Sequence, residues 1–201
     1  MDHFAETPGD GPLVFTFHGT GGDETQFHGL ARRILPDAHV ISPRGEVSEA
    51  GMNRFFRRTG EGVYDMGDLA LRTDAMAGFV AAAKARVGAD RAIGFGYSNG
   101  ANILAAVAFA HPGLFTDIAL LHPLIPWTPD PAPGLAGRNV LITAGRRDPI
   151  CPAPMTEALA AWVTAQGAAP ELHWHPGGHE VIASEIEALA GFLTRQPVRA
   201  G

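Results

Sequence analysis

Short, almost uninterrupted apolar runs alternate along this chain with longer stretches of helical periodicity. The apolar runs span residues 13–19, 38–43, 91–98, 117–123, 139–145 and 171–175. The helical stretches span residues 68–88, 99–113, 154–168 and 180–195. Strands of a parallel sheet are continuously apolar in this way because helices cover both faces of the sheet. The alternation therefore predicts an α/β fold, a doubly wound and mostly parallel sheet of about six to seven strands with helices on both faces.

Composition excludes several classes of protein. With 201 residues, 46% hydrophobic and 18% charged, the chain can bury a full core, and we expect one domain over residues 1–201. The net charge of −6 argues against general nucleic-acid binding, and the one cysteine, Cys151, excludes an internal disulfide. The N-terminus does not look like a signal peptide, and no apolar run reaches the roughly 18 residues that span a membrane. We therefore expect a cytoplasmic protein without stable membrane association.

The sequence Gly96-Tyr97-Ser98-Asn99-Gly100 lies where a predicted strand passes directly into a predicted helix. Small residues on both sides of the serine allow the strand and helix to approach closely, and the turn then presents the hydroxyl above the sheet. The helix N-terminus below it favours developing negative charge. The pattern predicts a nucleophilic Ser98, and the alternative is a serine in an ordinary glycine-rich turn.

An acid and a base follow two later strands. Asp148 comes just after the run 139–145, and His179 just after the run 171–175. A serine needs a base to be nucleophilic at neutral pH, and the order Ser98, Asp148, His179 is the order used by nucleophile-elbow enzymes. We expect His179 to take the serine proton and Asp148 to orient the imidazole. Taken alone, Asp148 and His179 could each be a turn or cap residue.

The glycine-rich stretch after the first run predicts an oxyanion hole. The residues His18-Gly19-Thr20-Gly21-Gly22 follow the run 13–17. Glycines allow the backbone to turn an N–H group towards the nucleophile, so we assign the donors to the amides of Thr20 and Asn99. A phosphate-binding loop is the alternative, although the stretch lacks the spacing and lysine of a P-loop.

The segments HGTGGDE, GYSNG, GRRDPI and GGHE together resemble the α/β-hydrolase superfamily. Within it the chain is similar to the small phospholipase/carboxylesterase branch, which includes acyl-protein thioesterases, and the similarity runs from about residue 13 to 193. The resemblance implies a compact α/β-hydrolase fold with Ser98, Asp148 and His179 as the catalytic triad. Homodimers are common in this branch. Only residues 1–12 precede the first run, which leaves one or both antiparallel edge strands of the family unaccounted for.

The predicted substrate pocket rests on weaker signals. Arg54 and Phe55, in the long connection after the second run, and Trp127 are candidates for its walls. The alternatives are that Phe55 is a core residue, that the arginines near it are solvated or ion-paired, and that Trp127 packs beneath its loop. Residues 124–138 contain four prolines, which disfavour a helical lid.

These observations predict a serine hydrolase that cleaves carboxylic esters of small or short-acyl substrates through an acyl-enzyme on Ser98. Its partner is a small-molecule ester, and we expect no metal and no organic cofactor. His173, His175 and His179 invite a zinc interpretation, but no carboxylate motif completes a metal site. The alternatives are a thioesterase of the same branch and a non-catalytic ligand-binding protein with a hydrolase fold.

Overall fold

The computed structural model describes residues 3–195. In chain order its elements are β1 (Phe4–Thr7), β2 (Leu13–Phe17), α1 (His28–Ile34), β3 (His39–Pro43), β4 (Val47–Glu49), β5 (Met52–Arg54), β6 (Arg58–Gly60), β7 (Val63–Tyr64), α2 (Met66–Val87), β8 (Ala92–Tyr97), α3 (Asn99–Ala110), β9 (Asp117–Leu121), a 3₁₀ helix (Pro133–Leu135), β10 (Asn139–Gly145), α4 (Ala153–Ala165), β11 (Ala169–His175) and α5 (Ala183–Leu193).

Seven of these strands form one sheet in the order β1-β3-β2-β8-β9-β10-β11. All its neighbouring pairs are parallel except β1 with β3, which are antiparallel and pair Phe4 with Pro43. The predicted doubly wound, mostly parallel sheet is confirmed. One antiparallel edge strand is present as β1, in a stretch where the sequence analysis identified no strand.

Two hydrophobic cores lie on opposite faces of the sheet, because alternate side chains of each strand point to opposite sides. Phe15 and Phe17 of β2 join residues of α2, α3 and α4 in one core. Val14 of β2 and Phe95 of β8 join residues of α1 and α5 in the other. Both faces are therefore covered by helices, as the continuous apolar runs indicate.

The connection between β3 and α2 contains structure that the sequence did not predict. It forms two short antiparallel hairpins, β4–β5 and β6–β7, beside the main sheet. Helix α1 was also missed, because it has only seven residues, one of them fully buried, and no side chain caps its N-terminus. Each of these elements is too short to give a clear periodic signal.

The carboxyl ends of β2, β8, β9, β10 and β11 lie at the same edge of the sheet, so the loops that follow them meet there. Residues 124–138 contain only the short 3₁₀ helix Pro133–Leu135 as a regular element, in agreement with the prediction of no helical lid. Within residues 3–195, no helix is both long enough and apolar enough to cross a membrane.

Candidate active site

Ser98 occupies the sharp turn between β8 and α3. Its backbone has φ 53° and ψ −118°, a conformation that non-glycine residues rarely adopt. A Cβ atom added to Gly96 would lie 2.7 Å from the backbone of Gly100, and one added to Gly100 would lie 2.3 Å from the carbonyl oxygen of Phe17. Both glycines are therefore required by contact between strand and helix, as the sequence predicted.

The structure brings together the three residues predicted to form the triad. Nε2 of His179 lies 2.8 Å from Oγ of Ser98. Nδ1 of His179 lies 2.7 Å from Oδ2 of Asp148. With the proton on Nδ1 donated to Asp148, Nε2 is left to accept the proton of the Ser98 hydroxyl.

Asp148 is a buried carboxylate with donors on both oxygens. Its Oδ1 accepts hydrogen bonds from the backbone N–H groups of Ile150 and Cys151, at 2.8 and 2.9 Å. Burial raises the pKa of this carboxyl, but the bonds from Cys151, His179 and His122 outweigh burial and hold the pKa below its usual value. Asp148 is therefore an anion at neutral pH and suited to orienting an imidazole.

The two amides predicted to form the oxyanion hole lie in the same cavity as Ser98. Thr20 and Asn99 both line this cavity, and within residues 3–195 their backbone N–H groups have no hydrogen-bond partner. Asn99 is the first residue of α3, so its amide also carries the positive end of the helix dipole. Both groups are available to a developing oxyanion.

The loop that carries Thr20 is fixed by side chains around it. Nδ1 of His18 bonds to the carbonyl of Gly19 at 2.7 Å, and its Nε2 accepts from the N–H of Gly45 at 2.9 Å. The amide of Gly19 donates to Oε1 of Gln26. Burial lowers the pKa of His18, so the neutral tautomer that these bonds require is favoured.

Two of the three predicted pocket residues, Phe55 and Trp127, do not line the Ser98 cavity. Phe55 is buried in the core against Phe17, and its N–H donates to Oδ1 of Asn99 at 2.7 Å. The pocket prediction for Phe55 is therefore corrected to a core and positioning role, because the connection turns this ring inwards. Trp127 packs edge-to-face on Tyr64 and lines a separate groove between α2 and α3.

Arg54 does line the cavity, although its side chain is almost fully buried. Its guanidinium donates to Oγ1 of Thr20 at 2.8 Å and forms an ion pair with Glu49 at 3.1 Å. Burial lowers the pKa of Arg54 from its ordinary, very high value. These contacts make Arg54 a support for the loop that carries Thr20.

The cavity above Ser98 has a volume of about 320 Å³. Among its lining residues, Nδ2 of Asn102 donates to the hydroxyl of Tyr64, and that hydroxyl donates to the carbonyl of Leu124, at 2.7 and 2.9 Å. The lining also includes Arg58, Ile150, Cys151 and His179. A cavity of this size matches small organic ligands.

Sequence reasoning missed several residues around the triad. The hydroxyl of Tyr97 donates to the carbonyl of His179 at 2.6 Å, and the two rings lie 5.3 Å apart. Burial and nearby carboxylates raise the pKa of Tyr97 to about 12, so the hydroxyl remains a donor. His122, which directly follows β9, is buried beside Asp148, and Glu185, in the first turn of α5, is buried beside His122. Only the strand-end position of His122 offered a sequence signal.

The histidines considered for zinc binding do not converge. His173 bonds to Ser184, whereas His179 bonds to Ser98. Two other groups of side chains have ligand atoms within 4.8 Å of one another; they are His122 with Asp148 and His179, and His122 with His175 and Glu185. The first group is the proposed triad with one additional imidazole.

A strained serine on a strand-to-helix turn, an imidazole and a buried carboxylate at the carboxyl edge of a parallel sheet define a hydrolase-type site. The chain is 39% identical over 189 residues to "Putative hydrolase MhqD" of Bacillus subtilis (strain 168). The aligned region covers 93% of this chain and 94% of that protein. The chain belongs to the α/β-hydrolase superfamily, in the branch that contains carboxylesterases, and is an enzyme of the hydrolase type.

Solved structures agree with this family. The Bacillus cereus carboxylesterase superposes with a TM-score of 0.86 at 35% identity, covering 94% of this chain and 91% of that one. The protein Atu2452 of unknown function from Agrobacterium tumefaciens str. C58 gives a TM-score of 0.91 at 52% identity, covering 94% of each chain. A scan against protein-family models found no match.

Proposed function

We propose that this protein is a serine carboxylesterase that hydrolyses esters of small or short-acyl carboxylic acids through an acyl-enzyme on Ser98. The observation that carries the proposal is the continuous hydrogen-bonded series from Oγ of Ser98 through His179 to Asp148, at 2.8 and 2.7 Å. Carboxylesterases from Bacillus cereus and Mesorhizobium loti, at 35% and 33% identity, support the ester class. The proposed reaction uses no metal and no organic cofactor.

In the acylation step, Nε2 of His179 accepts the proton of the Ser98 hydroxyl while Oγ attacks the ester carbonyl carbon. The carbonyl π electrons move to oxygen, and the amides of Thr20 and Asn99 stabilise the oxyanion. Asp148 stabilises the imidazolium that forms. The tetrahedral intermediate then collapses, and His179 returns the proton to the departing alcohol.

Deacylation repeats these steps with water as the nucleophile. His179 removes a proton from water, the hydroxide attacks the acyl-enzyme, and the same two amides of Thr20 and Asn99 hold the second oxyanion. Collapse releases the carboxylic acid and restores the Ser98 hydroxyl with the proton from His179. The products are one acid and one alcohol, with no net change in the enzyme.

Cavity size supports a small substrate. A volume of about 320 Å³ leaves little room for a long acyl chain. We further propose that the substrate is a free small-molecule ester in the cytoplasm. The net charge of −6 disfavours nucleic acid and anionic membranes as partners.

The first test is replacement of the proposed nucleophile. We expect Ser98→Ala to lower kcat by roughly 10⁴–10⁶ on a p-nitrophenyl ester, because the triad acts as a unit and only oxyanion stabilisation and binding remain. Wild-type protein should also react with a fluorophosphonate probe at one site, and Ser98→Ala should not. Both are measured by steady-state hydrolysis and intact-protein mass spectrometry.

The matched control is Ser48→Ala, since Ser48 is exposed on β4. It should retain wild-type turnover and labelling. A folded Ser98→Ala protein with near wild-type kcat would refute the mechanism, and failure of the wild type to label would favour a ligand-binding protein. Rates on matched oxygen and thiol esters distinguish a carboxylesterase from a thioesterase.

A further inference from the structure

His122 contacts the same carboxylate oxygen of Asp148 as His179 does. Its Nδ1 is 2.8 Å from Oδ2 of Asp148, and the Nδ1 of His179 is 2.7 Å from that same atom. The two imidazole rings are 5.1 Å apart. Asp148 therefore accepts from two histidines, whereas the proposed reaction uses only one of them.

The other nitrogen of His122 also faces a carboxylate. Nε2 lies 2.9 Å from Oε1 of Glu185, and both side chains are fully buried. A neutral imidazole has one N–H donor and one lone pair, and a lone pair facing a carboxylate oxygen would be repelled. A carboxylate close to each ring nitrogen favours protonation of both and makes His122 a cation between two anions, although Nε2 is paired with Glu185 by charge and not by an aligned hydrogen bond.

Glu185 is ionised by its surroundings. The Thr143 hydroxyl donates to its Oε1 at 2.6 Å, and the backbone N–H of Ile182 donates to Oε2 at 2.9 Å. Burial raises the pKa of this carboxyl, but the contacts with His122, Thr143 and Ile182 outweigh burial and lower it. A buried charge persists only when it is paired, and Glu185 thus supplies the counterion of His122.

The backbone of His122 is also held in a strained position. Its φ is 50°, although it is not a glycine. Its N–H donates to the carbonyl of Thr143 at 2.9 Å, and the Cys151 thiol donates to its carbonyl at 3.2 Å. Such strain persists where the surroundings fix the residue, and sites of this kind cluster at functional centres.

We propose that His122 is a positioning residue, a buried imidazolium with Glu185 as its counterion, which fixes Asp148 and places a positive charge beside His179. This inference rests on the proposed function for its kinetic part alone. His122 does not line the Ser98 cavity, so it acts through Asp148. The positive charge of His122 disfavours a second positive charge on His179.

The groups around His122 agree with a cationic state. Asp148 and Glu185 are the two anions, and the ring of Tyr97 lies 5.9 Å away edge-to-face. His175 faces Glu185 through Nε2 at 3.4 Å, while its Nδ1 accepts from the Gly177 amide and so carries no proton. Burial lowers the pKa of His122, but the contacts with Glu185 and Asp148 outweigh burial and hold the pKa above its usual value.

The kinetic test compares the pH profiles of kcat/KM for two glutamine variants, one of which removes a positive charge and the other a negative charge. His122→Gln removes a positive charge near His179, so the midpoint should move to higher pH, by about one unit at this separation. Glu185→Gln removes one of the two anions paired with His122 and leaves Asp148 as the other, so its midpoint should move less than that of His122→Gln. Damage to the fold alone would lower kcat in both variants and leave both midpoints in place.

The control is His173→Gln, because His173 bonds to Ser184 and contacts neither Asp148 nor His122 by a hydrogen bond. Its midpoint should equal that of the wild type. A folded His122→Gln enzyme with an unshifted midpoint would overturn the proposal.

A second measurement does not depend on esterase activity or on folding of a variant. In wild-type protein labelled with ¹⁵N-histidine, both ring nitrogens of His122 should give imidazolium signals at neutral pH. A neutral tautomer at His122 would refute the inference even if the enzyme is an esterase. Stoichiometric zinc by elemental analysis, lost in His122→Gln, would replace it with a metal site.

Discussion

At the residue scale, Cys151 lies beside the triad in a state that cannot attack a carbonyl. The thiol is buried, it donates to the carbonyl of His122, and its backbone N–H donates to Asp148. Burial, together with the Asp148 charge, raises the pKa of Cys151, which disfavours the thiolate nucleophile. Its contribution is packing around the carboxylate.

We therefore expect Cys151→Ser to keep kcat/KM within a few-fold of wild type. A serine hydroxyl can donate to the same carbonyl of His122, and the backbone bond to Asp148 does not involve the side chain. Steady-state hydrolysis and iodoacetamide insensitivity of the wild type would be measured. Complete loss of activity in a folded variant would require a chemical or pocket-forming role for Cys151.

The sequence identified the residues whose place depends on local order. Ser98 follows β8 directly, Asp148 and His179 lie in the loops just after β10 and β11, and parallel strand ends meet at one edge of the sheet. Glu185 was not predictable, because its approach to His122 depends on how α5 packs on the sheet. Phe55 was assigned to the pocket for the same reason, since nothing local decides which way a ring in a long connection points.

At the element scale, the β4–β5 hairpin supports the loop that carries Thr20, residues 18–22. The amide of Gly21 donates to the carbonyl of Asn53 at 2.9 Å, and Nδ2 of Asn53 donates to the carbonyl of Gly22 at 2.9 Å. Arg54 continues this contact through Thr20. The sequence showed the glycine-rich loop but not its support, because the hairpin strands have three residues each.

The contact between β2 and α3 gives a prediction at the same scale. A Cβ on Gly100 would lie 2.3 Å from the carbonyl oxygen of Phe17 and 2.4 Å from that of His18. Backbone atoms cannot rotate away, so Gly100→Ala must displace the start of α3 and the Asn99 amide. We expect a loss of about 1–3 kcal/mol in the free energy of unfolding and about 10²-fold in kcat.

The matched control is Gly78→Ala in α2, where an added Cβ has no heavy atom within 4 Å. Alanine is favoured over glycine inside a helix, so this variant should unfold at the same or a higher temperature. Thermal denaturation and p-nitrophenyl ester hydrolysis would be measured for both. Equal stability of Gly100→Ala and the wild type would show that α3 and β2 can separate without cost.

At the scale of the whole molecule, the alternation of apolar runs and helices was enough to predict the architecture. Every run assigned to a strand is a strand of the central sheet, and the four predicted helices are present as α2 to α5. The order of strands in the sheet depends on long-range pairing, which no local pattern specifies. The edge strand β1 was missed for this reason, since four partly exposed residues become a strand only by pairing with β3.

The final prediction concerns substrate length and follows from how the molecule covers its cavity. Residues 124–138 form a proline-rich loop with one short 3₁₀ helix, and Trp127 lies over a separate groove. Without a helical lid, no large apolar surface opens at a lipid interface, and the cavity of about 320 Å³ favours short acyl chains.

Among p-nitrophenyl esters from acetate to palmitate, kcat/KM should be highest for the short acids and fall with length, and emulsified triolein should be a poor substrate. Trp127→Ala should leave this order unchanged, because the indole does not line the Ser98 cavity. Rates that rise steadily with acyl length and increase sharply above the solubility limit would contradict this prediction and indicate interfacial activation.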